Sequence, residues 1–119
     1  FKLPINFKVH IEEVDNKKID ILILSSVLQY LDDWQGILDS LLFRQPRYII
    51  IDRTPLSDGP TQIFVQENEG YYETKVSYPA RILNRTEMLR EFRNYEVVRE
   101  WKSDFDPENH FGFLLVKVA

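Results

Sequence analysis

Two apolar runs of strand length, Ile19-Asp20-Ile21-Leu22-Ile23-Leu24 and Tyr48-Ile49-Ile50-Ile51, flank a stretch with helical periodicity, and no other feature limits the fold as much. Strands that are apolar on consecutive residues are covered on both faces, as in parallel sheets. Between them Asp32 and Asp33 offer N-cap oxygens, and Trp34, Ile37, Leu38, Leu41 and Leu42 recur at the spacing of one helix face. Gly36 weakens this helix by about 1 kcal/mol relative to alanine, and Pro46 stops it. Strand, helix and strand make a βαβ unit, whose crossover is right-handed.

The remaining segments follow local rules. Residues 5–11 alternate apolar and polar side chains, as a half-buried strand does. Ser57-Asp58-Gly59-Pro60 is a turn. Residues 61–83 hold one short apolar run, Ile63-Phe64-Val65, and otherwise read as irregular. Asn84 and Glu87 fit a capping box that opens a second helix, with Met88, Leu89 and Phe92 inward. Residues 95–101 and 111–118 read as two closing strands, separated by the acidic turn Asp104 to Asn109. The fold class expected is α/β: a Rossmann-like sheet, mostly parallel with an antiparallel C-terminal strand, and helices on its faces, in one domain over residues 1–119.

Charge and cysteine content narrow the chemistry. The 15 basic and 19 acidic side chains give a net charge of −4, so the counterion release that drives nucleic-acid binding has little to act on. No stretch approaches the length of about 20 apolar residues that spans a bilayer. Without cysteine, thiol catalysis and cysteine-containing zinc sites are excluded, only His10 and His110 remain as imidazole ligands, and no metal site is expected. The same absence suits the cytoplasm. The chain opens on Phe1, and its one methionine is Met88, so further residues are expected upstream.

The run Ile19 to Leu31, containing Ser25-Ser26-Val27-Leu28-Gln29-Tyr30-Leu31, followed by Ile51-Asp52-Arg53-Thr54-Pro55, resembles a bacterial family of SAM-dependent methyltransferases. Val65-Gln66, Ser77-Tyr78-Pro79-Ala80 and Glu100-Trp101 agree with it. The resemblance covers the C-terminal half of a class I methyltransferase, with strand order 3-2-1-4-5-7-6. It makes residues 5–11 the third strand, 19–25 the fourth, 47–52 the fifth, and the closing pair the sixth and seventh. One departure is large. Gly36, Gly59, Gly70 and Gly112 are too widely spaced for the glycine-rich turn that approaches the cofactor.

The resemblance implies S-adenosyl-L-methionine (SAM) as cofactor and a small molecule as methyl acceptor. Ser25, Ser26, Gln29 and Tyr30 follow a central strand at its carboxyl end, where α/β sheets bind ligands, and are expected to line the methyl-donor pocket; alternatively the serines only end a strand and Tyr30 packs in the core. Asp52, Arg53 and Thr54 follow the next strand and, with Tyr78, are expected on the substrate side, Arg53 as a clamp for an anionic group or as a partner of a neighbouring acid. His110 is the candidate proton-transfer residue, against the plainer reading of an exposed histidine in a polar turn. The acidic turn lacks calcium-loop spacing, and Asn84-Arg85-Thr86 reads as a helix cap rather than a glycosylation site.

With strands one and two absent, the edge of the fourth strand is unpaired. Either residues 5–11 move beside Ile21–Leu24, or a second copy pairs there. Two functions follow: part of a methyltransferase that is inactive by itself, or a non-catalytic module that dimerises through this edge. An unrelated phosphate-binding domain would need a glycine cradle, which the sequence lacks.

Overall fold

The computed structural model describes residues 5, 7–8, 10, 13–14, 19–69, 75–104 and 106–118. The strands are β1 (Ile21–Ser25), β2 (Tyr48–Ser57), β3 (Gln62–Glu69), β4 (Lys75–Asn84), β5 (Tyr95–Lys102) and β6 (His110–Lys117), and the helices α1 (Trp34–Leu42) and α2 (Arg85–Arg90). A 3-10 turn covers Leu28–Tyr30. None of these helices is long and apolar enough to cross a membrane.

β1 and β2 run parallel, Ile21 opposite Tyr48 and Ser25 opposite Asp52. β6 lies antiparallel on the other edge of β2, and β5 antiparallel outside β6. Numbered as the resemblance implies, this is the order 4-5-7-6 expected from it. Two of the five pairings are parallel, β1 with β2 and the end of β2 with β4, so the sheet is a mixed one rather than mostly parallel.

The capping side chains do what their positions require. Asp33 accepts from the Gly36 N–H at 3.1 Å, and Asn84 accepts from the Glu87 N–H at 2.9 Å. A Cβ on Gly36 would meet the Asp33 carboxylate, so the glycine that lowers helix propensity also makes room for the cap. Trp34 and Leu38 of α1 and Met88 of α2 pack with Leu22, Leu24, Ile49, Ile51, Phe113 and Leu115 in one core. Alternation then turns Ile21, Ile23 and Tyr48 to the opposite face. There Ile21 is 54% and Ile23 61% exposed. Among the described residues both helices cover one face, not two.

The hairpin β3–β4 corrects the reading of 61–83 as irregular: Gln62 to Glu69 pair with Ile82 back to Lys75. Its apolar residues Ile63, Val65 and Val76 are exposed, and Pro79 sits within β4, so no clean in–out alternation marks it. Of the strand predicted over 5–11, residues 6, 9 and 11 lie outside the described residues, and Ile5, Phe7, Lys8 and His10, which are described, belong to no strand. Among the described residues none of this segment pairs beside β1.

On the core side Arg85 stacks over Phe113, 5.1 Å from the ring centroid, and pairs with Glu100. That hydrogen bond holds the Glu100 carboxyl below its ordinary range and raises Arg85 above its own. On the other face Trp101 lies flat against Gly112, where a Cβ would enter the indole. Its ring N–H donates to Asp52 Oδ1 at 2.9 Å.

Candidate functional site

β2 carries three neighbours because β1 stops early. β1 pairs with β2 up to Asp52 and then leaves, while β4 joins the same edge only at Leu56 and Ser57. The opening between them is a cavity of about 470 Å³. Its floor comes from the strand tips, Ser26, Gln29, Arg53 and Pro55; the hairpin adds Phe64, Gln66, Ala80 and Ile82, and the turn into β6 adds Asp106, Asn109 and His110. It lies at the carboxyl end of the parallel pair, where α/β sheets place ligands.

The backbone at both tips is unusual. Ser26 has φ 54° and Arg53 φ 49°, a region that non-glycine residues occupy at a cost of about 1–3 kcal/mol. Arg53 is the extra residue of a bulge where β2 shifts register against β6. Gln45 also has positive φ, but it lies two residues past the C-cap of α1, its N–H donating to the Leu42 carbonyl, away from this cavity. The Ser26 N–H donates to the Asp52 carbonyl at 2.9 Å. Gln29 ties the tips together: its amide nitrogen donates to Ser26 Oγ at 2.9 Å and to the Arg53 carbonyl at 3.3 Å. Gln29 is 2% exposed. Because the Arg53 carbonyl only accepts, the nitrogen is fixed on that side, and Gln29 Oε1 is left buried without a partner among the described residues. A buried acceptor without a donor in a strained pocket is a mark of a binding site.

The sequence-derived residues divide. Ser26, Gln29, Tyr30, Arg53 and His110 share the cavity. Tyr78 stands next to it, edge-on to Tyr30 at 5.5 Å, and Tyr30 Oη donates to Gln66 Oε1 at 3.3 Å. Ser25 is exposed at the end of β1 and does not line the cavity. Asp52 turns its carboxylate to Trp101 on the other face, and Thr54 is fully buried, its hydroxyl donating to the Asp52 carbonyl at 3.1 Å; both shape the tip of β2 rather than line the cavity. Phe64, Ile82 and Asn109 carry no functional signal in the sequence; Gln66 enters it only through the resemblance, and Asp106 only as one acid of the turn between the closing strands.

Among the described residues no three His, Asp or Glu side chains form a metal site. The glycines form no cofactor cradle either among the described residues: Gly36, Gly59 and Gly112 face Asp33, Ser57 and Trp101, and Gly70 lies outside the described residues. What fits a methyl donor is the orphaned Gln29 oxygen and the crevice itself. A second cavity of about 470 Å³, lined by Asp39, Phe43, Gln45, Arg93 and Lys117 among others, borders the start of β2, away from the carboxyl ends.

No family model matches the sequence, and no curated protein matches it. The structure is similar to that of the glycopeptide N-methyltransferase MtfA complexed with SAM, at TM-score 0.63 and 12% identity, over 89% of this chain and 57% of that one. It is similar to the Burkholderia thailandensis 1,6-didemethyltoxoflavin-N1-methyltransferase with bound 1,6-didemethyltoxoflavin and S-adenosylhomocysteine, at 0.62 and 13%, over 92% and 48%. The N-terminal domain of EvdMO1 in the presence of SAH and D-fucose gives 0.53 and 17%, over 92% and 52%. The chain thus spans about half the length of these structures. Identities this low carry the fold alone: a mixed α/β sheet that resembles part of a class I methyltransferase.

Proposed function

We propose that this chain is the acceptor-side portion of a SAM-dependent methyltransferase acting on a small molecule. The observation that carries the proposal is the crevice at the carboxyl ends of β1 and β2, with Gln29 at its floor, buried and with Oε1 unsatisfied among the described residues, in a fold whose neighbours were crystallised with SAM or its product.

When bound, SAM supplies a methyl group on a positively charged sulfur, which leaves the protein mainly the work of alignment. In this proposal Ser26, Gln29 and Tyr30 border the methyl donor, with Gln29 offering Oε1 to a donor group, and Ser25 only ends β1. Arg53, with its exposed guanidinium, and Tyr78 serve the acceptor, and Asp52 and Thr54 hold Arg53 in place. His110 is the base. The chain by itself lacks the glycine-rich turn, so calorimetry of the 119-residue protein with SAM is expected to show no binding tighter than about 1 mM. A chain that also carries that turn is expected to bind. Tight binding by the 119 residues alone would contradict the proposed division of the site.

A second reading, a non-catalytic module that dimerises, is favoured by one observation: among the described residues β1 pairs with β2 alone, and Ile21 and Ile23 are exposed beside that bare edge. Light scattering is expected to give a discrete dimer, and Ile23→Lys a monomer. A concentration-independent monomer for the unchanged chain removes this reading.

A further inference from the structure

The turn that enters β6 is built around one carboxylate. The His110 N–H donates to the Asp106 carbonyl at 2.8 Å, and the Asn109 N–H does so at 3.2 Å. The Asn109 carboxamide nitrogen reaches the Asp106 carboxylate at 3.2 and 3.4 Å. His110 Nδ1 lies 3.2 Å from Asp106 Oδ2. A carboxylate only accepts, so this contact puts the ring proton on Nδ1 and leaves the lone pair on Nε2. All three residues line the crevice that holds Ser26, Gln29 and Arg53. Among the described residues, Arg53 and Asp106 are the charged groups lining it with the imidazole.

We propose that Asp106 is a positioning residue for His110, fixing the Nδ1–H tautomer so that Nε2 is the base. The acceptor is then a group that must lose a proton when methylated, a hydroxyl or an N–H. The acceptor class rests on the methyl-transfer reading; the tautomer does not. In the step, the acceptor heteroatom's lone pair forms the bond to the methyl carbon. The carbon–sulfur bond breaks with its pair remaining on sulfur. The acceptor's proton goes to Nε2, giving an imidazolium that the Asp106 carboxylate stabilises.

The chain has only two histidines, so long-range 1H–15N correlation spectra of the 119-residue protein, above the pH where both rings are neutral, resolve each of them. His10 is exposed and serves as the reference for a free ring. The expected result is an Nδ1–H ring at His110, a different pattern at His10, and a return of His110 to the His10 pattern in Asp106→Ala. A His110 ring that already matches His10 in the unchanged chain, or an Nδ1–H form that persists in Asp106→Ala, overturns the assignment. The unchanged chain suffices for the first of these even if the variant fails to fold. For the acceptor class the probes are phenol and anisole, which differ in the hydroxyl proton. Phenol is expected to move the His110 Nε2 resonance well beyond that of His10, with anisole leaving it in place; equal effects of the two overturn the proton-bearing acceptor. No spectrum depends on SAM, so a failure here and a failure to bind SAM are told apart.

Discussion

Gln29→Glu is expected to destabilise the fold by about 3 kcal/mol at pH 7, the cost of keeping a buried carboxyl protonated well above its free value near 4.3 or of ionising it there. The amide nitrogen of Gln29 donates to the Arg53 carbonyl and to Ser26 Oγ. An ionised carboxylate in that position can only accept, so it would face the Arg53 carbonyl without a proton between them, at a site 2% exposed. The sign follows from linkage: the introduced group has a raised pKa in the folded state, so the fold recovers stability as pH falls and the carboxyl takes up the proton it can donate. Urea unfolding at pH 7 and again near pH 4.5 measures this. Equal stability loss at both pH values would mean that Gln29 only fills space.

Phe113→Ala is expected to cost about 3–5 kcal/mol, the usual range for removing a buried phenyl ring. Phe113 is fully buried in the centre of the core, opposite Ile51 on β2 and Glu100 on β5. It also carries the Arg85 guanidinium on its face. Against a total stability of about 5–15 kcal/mol, this lowers the melting temperature by roughly 10–20 °C at this chain length. Ile63→Ala on the exposed hairpin is the control and is expected to change stability by no more than about 0.5 kcal/mol. Thermal unfolding of the two variants checks both. A similar loss in both would put the core elsewhere.

The βαβ unit was legible because its signals are local and strong: a continuous apolar run admits few environments, and the Asp33 cap and the Trp34 to Leu42 stripe set one helix face. Gln29 stood out for a related reason, as an amide between core-forming residues, and it is buried as a tie between two strand tips. The hairpin was not legible. Ile63 and Val65 face solvent, and Tyr78 and Pro79 sit where a buried strand would show aliphatic residues, so pairing between β3 and β4 rather than burial defines those strands. Asp52 and Thr54 looked like ligand contacts because they end a strand; the bulge at Arg53 turns one of them to Trp101 and buries the other. Such a bulge is a tertiary outcome of pairing with β6, and no local pattern announces it. Asp106 read as one acid in a solvated turn, since its relation to His110 exists only once the turn closes.

The most direct measurement is the set of backbone amide shifts in the 119-residue chain as S-adenosylhomocysteine is added to millimolar concentration. Binding at the carboxyl ends of the parallel strands predicts weak changes, still rising at the last addition, grouped at Ser25 to Tyr30, Asp52 to Thr54 and Asn109 to His110. Changes grouped instead around Phe43, Gln45, Arg93 and Lys117 would contradict a methyl-donor site in this crevice.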